Sequence, residues 1–255
     1  MNQLEYEMIE VLKKLKDYGC VGLKAEYEAE GSRQVELMRL KDIADAVNLP
    51  LIIKIGGVEA ITDIYEALSI GAKGIVAPMA ETPYAVSKFL NAIEKYIPDD
   101  NRKDIEFAIN IETITAYYKL DSILSLKNIL LLQRITVGRV DFTGSLGLGR
   151  DNIERPTMNK HCVDIFKKAR EVGLNTTLGG AISTQTLPFI NSLLSNRMID
   201  RYETRKVIFT DTATEDKLLK AVEFELLWLK SKRRYYHRIK EEDEKRIQML
   251  EGRLK

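Results

Sequence analysis

Short apolar runs alternate with amphipathic stretches along most of the chain. Residues 21–28, 51–55, 74–79, 105–112, 130–137, 176–178 and 205–210 each read as a strand. Breakers close several of them: Gly56 and Gly57 after the second, Pro78 within the third, Gly179 and Gly180 after the sixth. Between the strands, apolar residues recur at helical spacing. Met8, Val11, Leu12 and Leu15 form one such set; Ile61, Ile64, Tyr65 and Leu68 a second; Val163, Ile165, Phe166 and Ala169 a third. Apolar strands separated by amphipathic helices predict a parallel sheet covered by helices. A closed barrel and an open doubly wound sheet both satisfy that alternation. The chain has 255 residues, and a (β/α)8 barrel typically takes about 250. The expected fold class is therefore α/β, a parallel (β/α)8 TIM-barrel-like domain. Seven strands are readable and the chain opens directly on a helix, so a strand is missing, lies outside the chain, or is hidden in it.

The C-terminal segment reads differently. Residues 216–255 contain no proline and no glycine before Gly252. Leu218, Val222, Leu226 and Leu229 are followed by a charged stretch and then by Ile247 and Leu250. This pattern predicts a long helix whose first half packs on the barrel. Its second half is expected to be a projecting arm, for a partner or a coiled coil, or a frayed charged tail. We accordingly divide the chain into a barrel, residues 1–228, and a C-terminal helical arm, residues 229–255. The cluster Lys230, Lys232, Arg233, Arg234, Arg238 and Lys240, with Tyr235 and Tyr236, reads first as a solvated helix face, and alternatively as a contact for an acidic partner.

Composition narrows the function classes. A formal net charge of +1 gives no global field toward nucleic acid or an anionic membrane. The two cysteines, Cys20 and Cys162, show no CxxC spacing. They support neither a disulfide framework nor a thiolate zinc site, and they suit a reducing cytosol. Glu and Lys interrupt residues 1–17, so no signal peptide is readable there. The expected location is cytoplasmic, with no nucleic-acid or membrane partner.

In a parallel α/β barrel the chemistry lies at the carboxyl ends of the strands. There the sequence places Glu26, Glu28, Lys54, Glu112, Arg139 and Asp141. Glu112 sits at a strand end and Asp141 follows the next strand; adjacent parallel strands lie about 5 Å apart, so both carboxylates can reach one cation. Two carboxylates with open positions suit Mg²⁺ or Mn²⁺. Capping or salt-bridged carboxylates are the alternative. Gly144, Gly147 and Gly149 follow Asp141 in neither a Walker nor a GxGxxG order. They allow backbone N–H groups close to an anion, or simply a tight turn. Glu26 and Glu28 are candidate bases if burial raises their pKa, or ion-pair partners of Lys24, Arg33 or Lys54.

Three segments in order resemble one family. Ile111-Glu112-Thr113 resembles the strand-end Glu-Thr of the HpcH/HpaI aldolase and citrate lyase family. Gly138-Arg139-Val140-Asp141-Phe142-Thr143-Gly144-Ser145-Leu146-Gly147 resembles its Gly-Pro-x-Asp-Leu-Ser-x-x-x-Gly, and Ala77-Pro78-Met79-Ala80-Glu81-Thr82 its Val-Pro-Met-Val-Glu-Thr. The resemblance implies that Glu112 and Asp141 bind a divalent metal, Mg²⁺ or Mn²⁺. It further implies a pyruvate-like 2-keto acid, or a related small carboxylate, whose carbon–carbon bond is made or broken through a metal-stabilised enolate. Lys54 stands where the family has an arginine that holds the substrate carboxylate. Arg139 replaces the family proline and is a candidate second anion contact, and Gly138 and Gly144 are candidate substrate-binding positions. The family aldolases carry Asp-x-Glu-His at the end of an early strand, where this chain has Glu26-Tyr27-Glu28-Ala29. Glu28 is thus the candidate catalytic base. The histidines, His161 and His237, lie on a late helix and in the C-terminal segment.

The resulting expectation is a metal-dependent carbon–carbon lyase or aldolase with Lys54, Arg139 and Glu28 as its catalytic set, and a homo-oligomer through the C-terminal helix. Two alternatives stand beside it: a Schiff-base aldolase using Lys54, and a non-catalytic barrel that binds a ligand or partner.

Overall fold

The structure, a computed structural model, describes residues 1–236 and 241–254. Eight strands close into a barrel in the order β1 to β8. These are β1 Cys20–Glu26, β2 Leu51–Lys54, β3 Gly74–Ala77, β4 Glu106–Ile111, β5 Arg134–Gly138, β6 Asn175–Gly179, β7 Arg201–Glu203 and β8 Val207–Phe209. The helices are α1 Gln3–Asp17, α2 Gln34–Asp45, α3 Ile61–Ile70, α4 Pro83–Tyr96, α5 Asp99–Arg102, α6 Ile114–Tyr118, α7 Leu120–Leu124, α8 Arg139–Ser145, α9 Pro156–Glu171, α10 Leu187–Ser195, α11 Glu215–Tyr236 and α12 Glu241–Arg253.

The seven readable strands are present, and the eighth is β7. It is three residues long and carries Arg201 and Glu203, so it shows no apolar run. The barrel is parallel from β1 to β7, but β8 runs antiparallel to both β7 and β1. The cause is connection length: residues 204–206 cannot make a parallel crossover, which needs a dozen or more residues. A tight turn forms instead, in which Thr204 N–H donates to the Val207 carbonyl at 2.9 Å and Val207 N–H donates to Thr204 Oγ1 at 3.0 Å. The apolar residues before β5 form a 3₁₀ turn, Ile129–Leu131, and β5 starts only at Arg134.

Strand side chains alternate between two environments. One set joins the helices in the main core, including Leu51, Ile53, Ile75, Ile109, Ile135 and Leu178. The other faces the barrel axis. Its apolar part is a small disc of Ile52, Val76, Ala108 and Ile208, with Val21 packed on it. Below the disc, Arg134 and Arg201 both pair with Glu106, at 3.0 and 2.9 Å. Above it, at the carboxyl ends, the same parity gives Lys24, Glu26, Lys54, Asn110 and Glu112. The barrel axis is therefore polar at both ends.

α1 begins with a capping box between Asn2 and Glu5 and buries Met8, Val11, Leu12 and Leu15, as the periodicity predicts. In α3 the buried residues are Ile64 and Ala67, and Tyr65 is exposed. The C-terminal segment is two helices lying side by side. Leu226 and Leu229 of α11 are buried with Ile247 and Leu250 of α12. Arg246 pairs with Glu225, Lys230 with Glu251, and Lys232 with Asp243. α12 thus lies back against α11 beside the barrel mouth instead of projecting. His237, Arg238 and Lys240 fall outside the described residues, as do the side chains of Arg233, Arg234, Tyr235 and Tyr236. No helix among the described residues is long and apolar enough to cross a membrane.

Candidate active site

A cavity of about 280 Å³ opens at the carboxyl ends of the strands. Glu112, Asp141, Lys54, Glu26, Lys24 and Asn110 line it. Glu112 directly follows β4 and is buried. The Met79 N–H donates to its Oε1 at 2.9 Å, and Asn110 Nδ2 donates to its Oε2 at 3.0 Å. Met79 reaches this position with φ 48°, a left-handed backbone uncommon for a bulky residue. Gly138 ends β5 against the same carboxylate. A Cβ there would stand 2.5 Å from Glu112 Oε2. Asp141 lies in the first turn of α8 and is exposed toward the cavity. Burial pushes the Glu112 carboxyl pKa up; Lys54 and the two hydrogen bonds pull it back, and the negative charge of Asp141 adds to the rise.

Alternating charges run around the rim. Lys24 bonds Glu203 and lies 3.5 Å from Glu26; Lys54 lies 3.3 Å from Glu26 and 3.5 Å from Glu28. Burial alone would lower the Lys54 ammonium pKa and is the largest single influence, but the carboxylates of Glu26, Glu112 and Glu28 together outweigh it and the net direction is up. The same balance raises Lys24, through Glu203 and Glu26. Burial is the largest single influence and opposes ionisation of Glu26, yet the positive charges of Lys24, Lys54, Arg205 and Lys206 together outweigh it and hold its pKa at about 2.

The other sequence-predicted residues go elsewhere. The Arg139 guanidinium is fully buried, and its three nitrogens are all bonded. Nη1 donates to both oxygens of Glu154 at 3.1 Å, Nη2 to the Gly180 carbonyl at 2.9 Å and to Thr186 Oγ1, and Nε to the Gly180 carbonyl at 3.2 Å. It ties α8 to the end of β6, so the expected anion contact is not the contact it makes. Glu28 is 40% exposed at the side chain, pairs with Lys54, and lies outside the cavity lining. Gly138 lines the cavity; Gly144 lies within α8, away from it. His161 packs its ring on Tyr117 and Phe142, in the helical layer.

The HpcH/HpaI aldolase/citrate lyase family matches residues 36–180, more than half of the chain and the part that carries Lys54, Glu112 and Asp141. The chain belongs to this family. Solved structures agree in fold. The HpcH/HpaI aldolase from Desulfitobacterium hafniense DCB-2 superposes with a TM-score of 0.62 at 15% identity, over 78% of this chain and 82% of that one. The citrate synthase SbnG gives 0.64 at 18% identity, over 88% and 89%. The Haloferax volcanii malate synthase, in a magnesium/glyoxylate complex, gives 0.54 at 12% identity, over 80% and 65%. No curated protein matches the chain in sequence.

The residues of this family member fit a hard dication. The negative charge of Asp141 raises the cost of ionising Glu112 across one cavity, and a cation between them removes that cost. Asn110 Oδ1 is buried beside them without a hydrogen-bond partner. Among the described residues no group of three or more His, Cys, Asp or Glu could hold a metal. The protein thus offers two carboxylates, and Mg²⁺, which keeps several waters and substrate oxygens, tolerates such a partial set.

Sequence reasoning missed Asn110, Glu203, Arg150, Arg246 and Arg253 as lining residues. Asn110 had a signal, since it stands two residues before Glu112 and therefore on the same side of β4. The arginines had none, because they come from a turn and a remote helix.

Proposed function

We propose that the protein is a divalent-metal-dependent carbon–carbon lyase or aldolase acting on a 2-keto acid or related carboxylate. The convergence of Glu112, Asp141 and Lys54 on one cavity at the strand ends supports this reading. Glu112 and Asp141 would hold Mg²⁺ or Mn²⁺. When bound, the ion would supply positive charge beside an oxygen that gains negative charge as the carbon–carbon bond changes.

The chain's own groups do the rest. Lys54 binds the substrate carboxylate as a point charge, without the two-pronged geometry of an arginine. Glu26 stays ionised and positions Lys54 and Lys24. Gly138 keeps the space that the Glu112 carboxylate needs. A Schiff base requires a neutral amine at Lys54, and its raised pKa opposes that. A homo-oligomer would use the outward faces of α11 and α12, because their facing leucines and Ile247 are buried against one another.

The test is Mn²⁺ binding by calorimetry, followed by thermal unfolding with Mn²⁺ and oxalate. Oxalate at 100 times its Kd should stabilise the Mn²⁺ protein by about 2.7 kcal/mol, or roughly 5–10 °C. Asp141→Asn should abolish both effects without unfolding, since Asp141 is exposed. Undiminished Mn²⁺ affinity in Asp141→Asn would refute the assignment. Retro-aldol screening of 2-keto acids then identifies the substrate.

A further inference from the structure

The open side of the cavity is basic, and the protein leaves part of that charge unanswered. Arg150, from the turn Arg150–Asn152 after α8, faces the same cavity as Arg246 and Arg253 of α12. Arg246 and Arg253 are seven residues apart, two helical turns, and so share one face of α12. Arg246 is held by Glu225, with Nε on Oε1 at 2.8 Å and Nη2 on Oε2 at 2.9 Å. Neither Arg150 nor Arg253 has a carboxylate partner in an ion pair among the described residues; the contact made by Arg253 is to Met249 Sδ at 3.9 Å. Burial lowers the Arg253 pKa, and the positive charges of Arg246 and Arg150 lower it further. Three guanidinium groups therefore converge where like charges repel, with Glu225 as the neighbouring anion.

The opposite end of the cavity holds Lys54 and the Glu112–Asp141 pair. The lining also includes Gly179, Gly180, Ala181 and Ile182, which offer small or apolar surface, together with Glu203 and Arg205. A ligand with one anionic group at the strand ends leaves the arginines unsatisfied. One with a second anionic group satisfies both ends. Arginine is the residue suited to this, because its planar donors match a carboxylate or a phosphate.

We propose that Arg150 and Arg253, beside an Arg246 fixed by Glu225, form a second anion subsite that takes a distal carboxylate or phosphate of the substrate. This rests on the reading that the reacting end of the substrate lies at Glu112 and Asp141. It specifies the substrate class as an acid with at least two separated anionic groups.

Metal-free full-length protein tests the subsite independently of that reading, with inorganic phosphate and malonate as probes in calorimetry at low salt. At least one probe should bind saturably, and the one that binds tighter identifies the distal group as phosphate or carboxylate. The double variant Arg150→Gln/Arg253→Gln should weaken that probe at least tenfold. Arg150 and Arg253 both keep a large part of their surface in solvent, Arg253 with its guanidinium partly desolvated, so an unchanged Tm is expected and checks the fold. Arg253→Lys should retain more affinity than Arg253→Gln. Absence of binding to wild type, or equal affinity in the double variant, overturns the subsite. Asp141→Asn separates the two readings: it should lose Mn²⁺ and keep the probe. Retained Mn²⁺ with retained probe would remove the metal assignment and leave the subsite standing.

Discussion

Replacing Gly138 by alanine perturbs the site through a single methyl group. The new Cβ would stand 2.5 Å from Glu112 Oε2 and 2.9 Å from Glu112 Cβ. An ordinary non-bonded contact is about 3.5 Å, so the carboxylate must retreat by about 1 Å. It cannot do so freely, because the Met79 N–H and Asn110 Nδ2 hold its two oxygens at 2.9 and 3.0 Å. The backbone itself tolerates alanine, since Gly138 has φ −91° and ψ 90°. The cost is therefore steric: about 1–3 kcal/mol for overpacking a filled site. Disturbing a group that orients a metal ligand typically costs 10–100-fold in metal affinity. Gly138→Ala should thus lose about 1–3 kcal/mol in urea unfolding and weaken Mn²⁺ at least tenfold by calorimetry. Gly144→Ala is the control. It lies in α8 with nothing within 4 Å of its added Cβ, so Mn²⁺ affinity should hold and stability should rise by up to about 1 kcal/mol from helix propensity. Unchanged Mn²⁺ affinity in Gly138→Ala, with the fold intact, would refute the placement of Glu112 as a metal ligand packed on Gly138.

Other outcomes follow from the buried charges. Arg139→Met should cost about 3–5 kcal/mol, because it strands Glu154 and frees the Gly180 carbonyl; oxalate affinity of the Mn²⁺ protein, measured at low temperature, should hold, and a selective loss of that affinity would restore Arg139 to substrate binding. Borohydride treatment with pyruvate should leave no adduct on Lys54 by mass spectrometry, and an adduct there would favour Schiff-base chemistry. Glu26 has its folded-state pKa depressed from 4.5 to about 2, so its stabilisation is present above pH 4.5 and is lost as pH falls toward 2. Glu26→Gln should flatten acid unfolding in that window. The Glu112 pKa is raised, so in metal-free protein its contribution is present below pH 4.5 and is lost as pH rises through the folded-state value. Glu112→Gln should remove this decline, measured as Tm against pH.

The sequence by itself determined the strand and helix alternation, because a buried strand and an amphipathic helix each leave a local period of apolar residues. It also determined Lys54 and Glu112 as polar groups at strand ends and Asp141 as one just beyond a strand, since each follows or closes an apolar run. What it could not carry was anything set by contacts between distant segments. β7 was hidden because its inward residues, Arg201 and Glu203, face a polar barrel axis and break the apolar pattern. The reversal of β8 was decided by a turn too short for a crossover. Arg139 carries the charge of an anion contact, yet Gly180 decides its fate. With φ 84° and no Cβ, Gly180 lies so close to the start of α8 that an added Cβ would stand 2.5 Å from the Arg139 backbone nitrogen, and its carbonyl takes the guanidinium inward. The arginines of α12 are more than a hundred residues from Asp141 along the chain and reach its cavity because Leu226, Leu229, Ile247 and Leu250 bury one another. Periodicity reports which face of an element is buried; only the closed barrel and the docked helix pair decide which charged groups share a cavity, because that depends on packing between elements far apart in sequence.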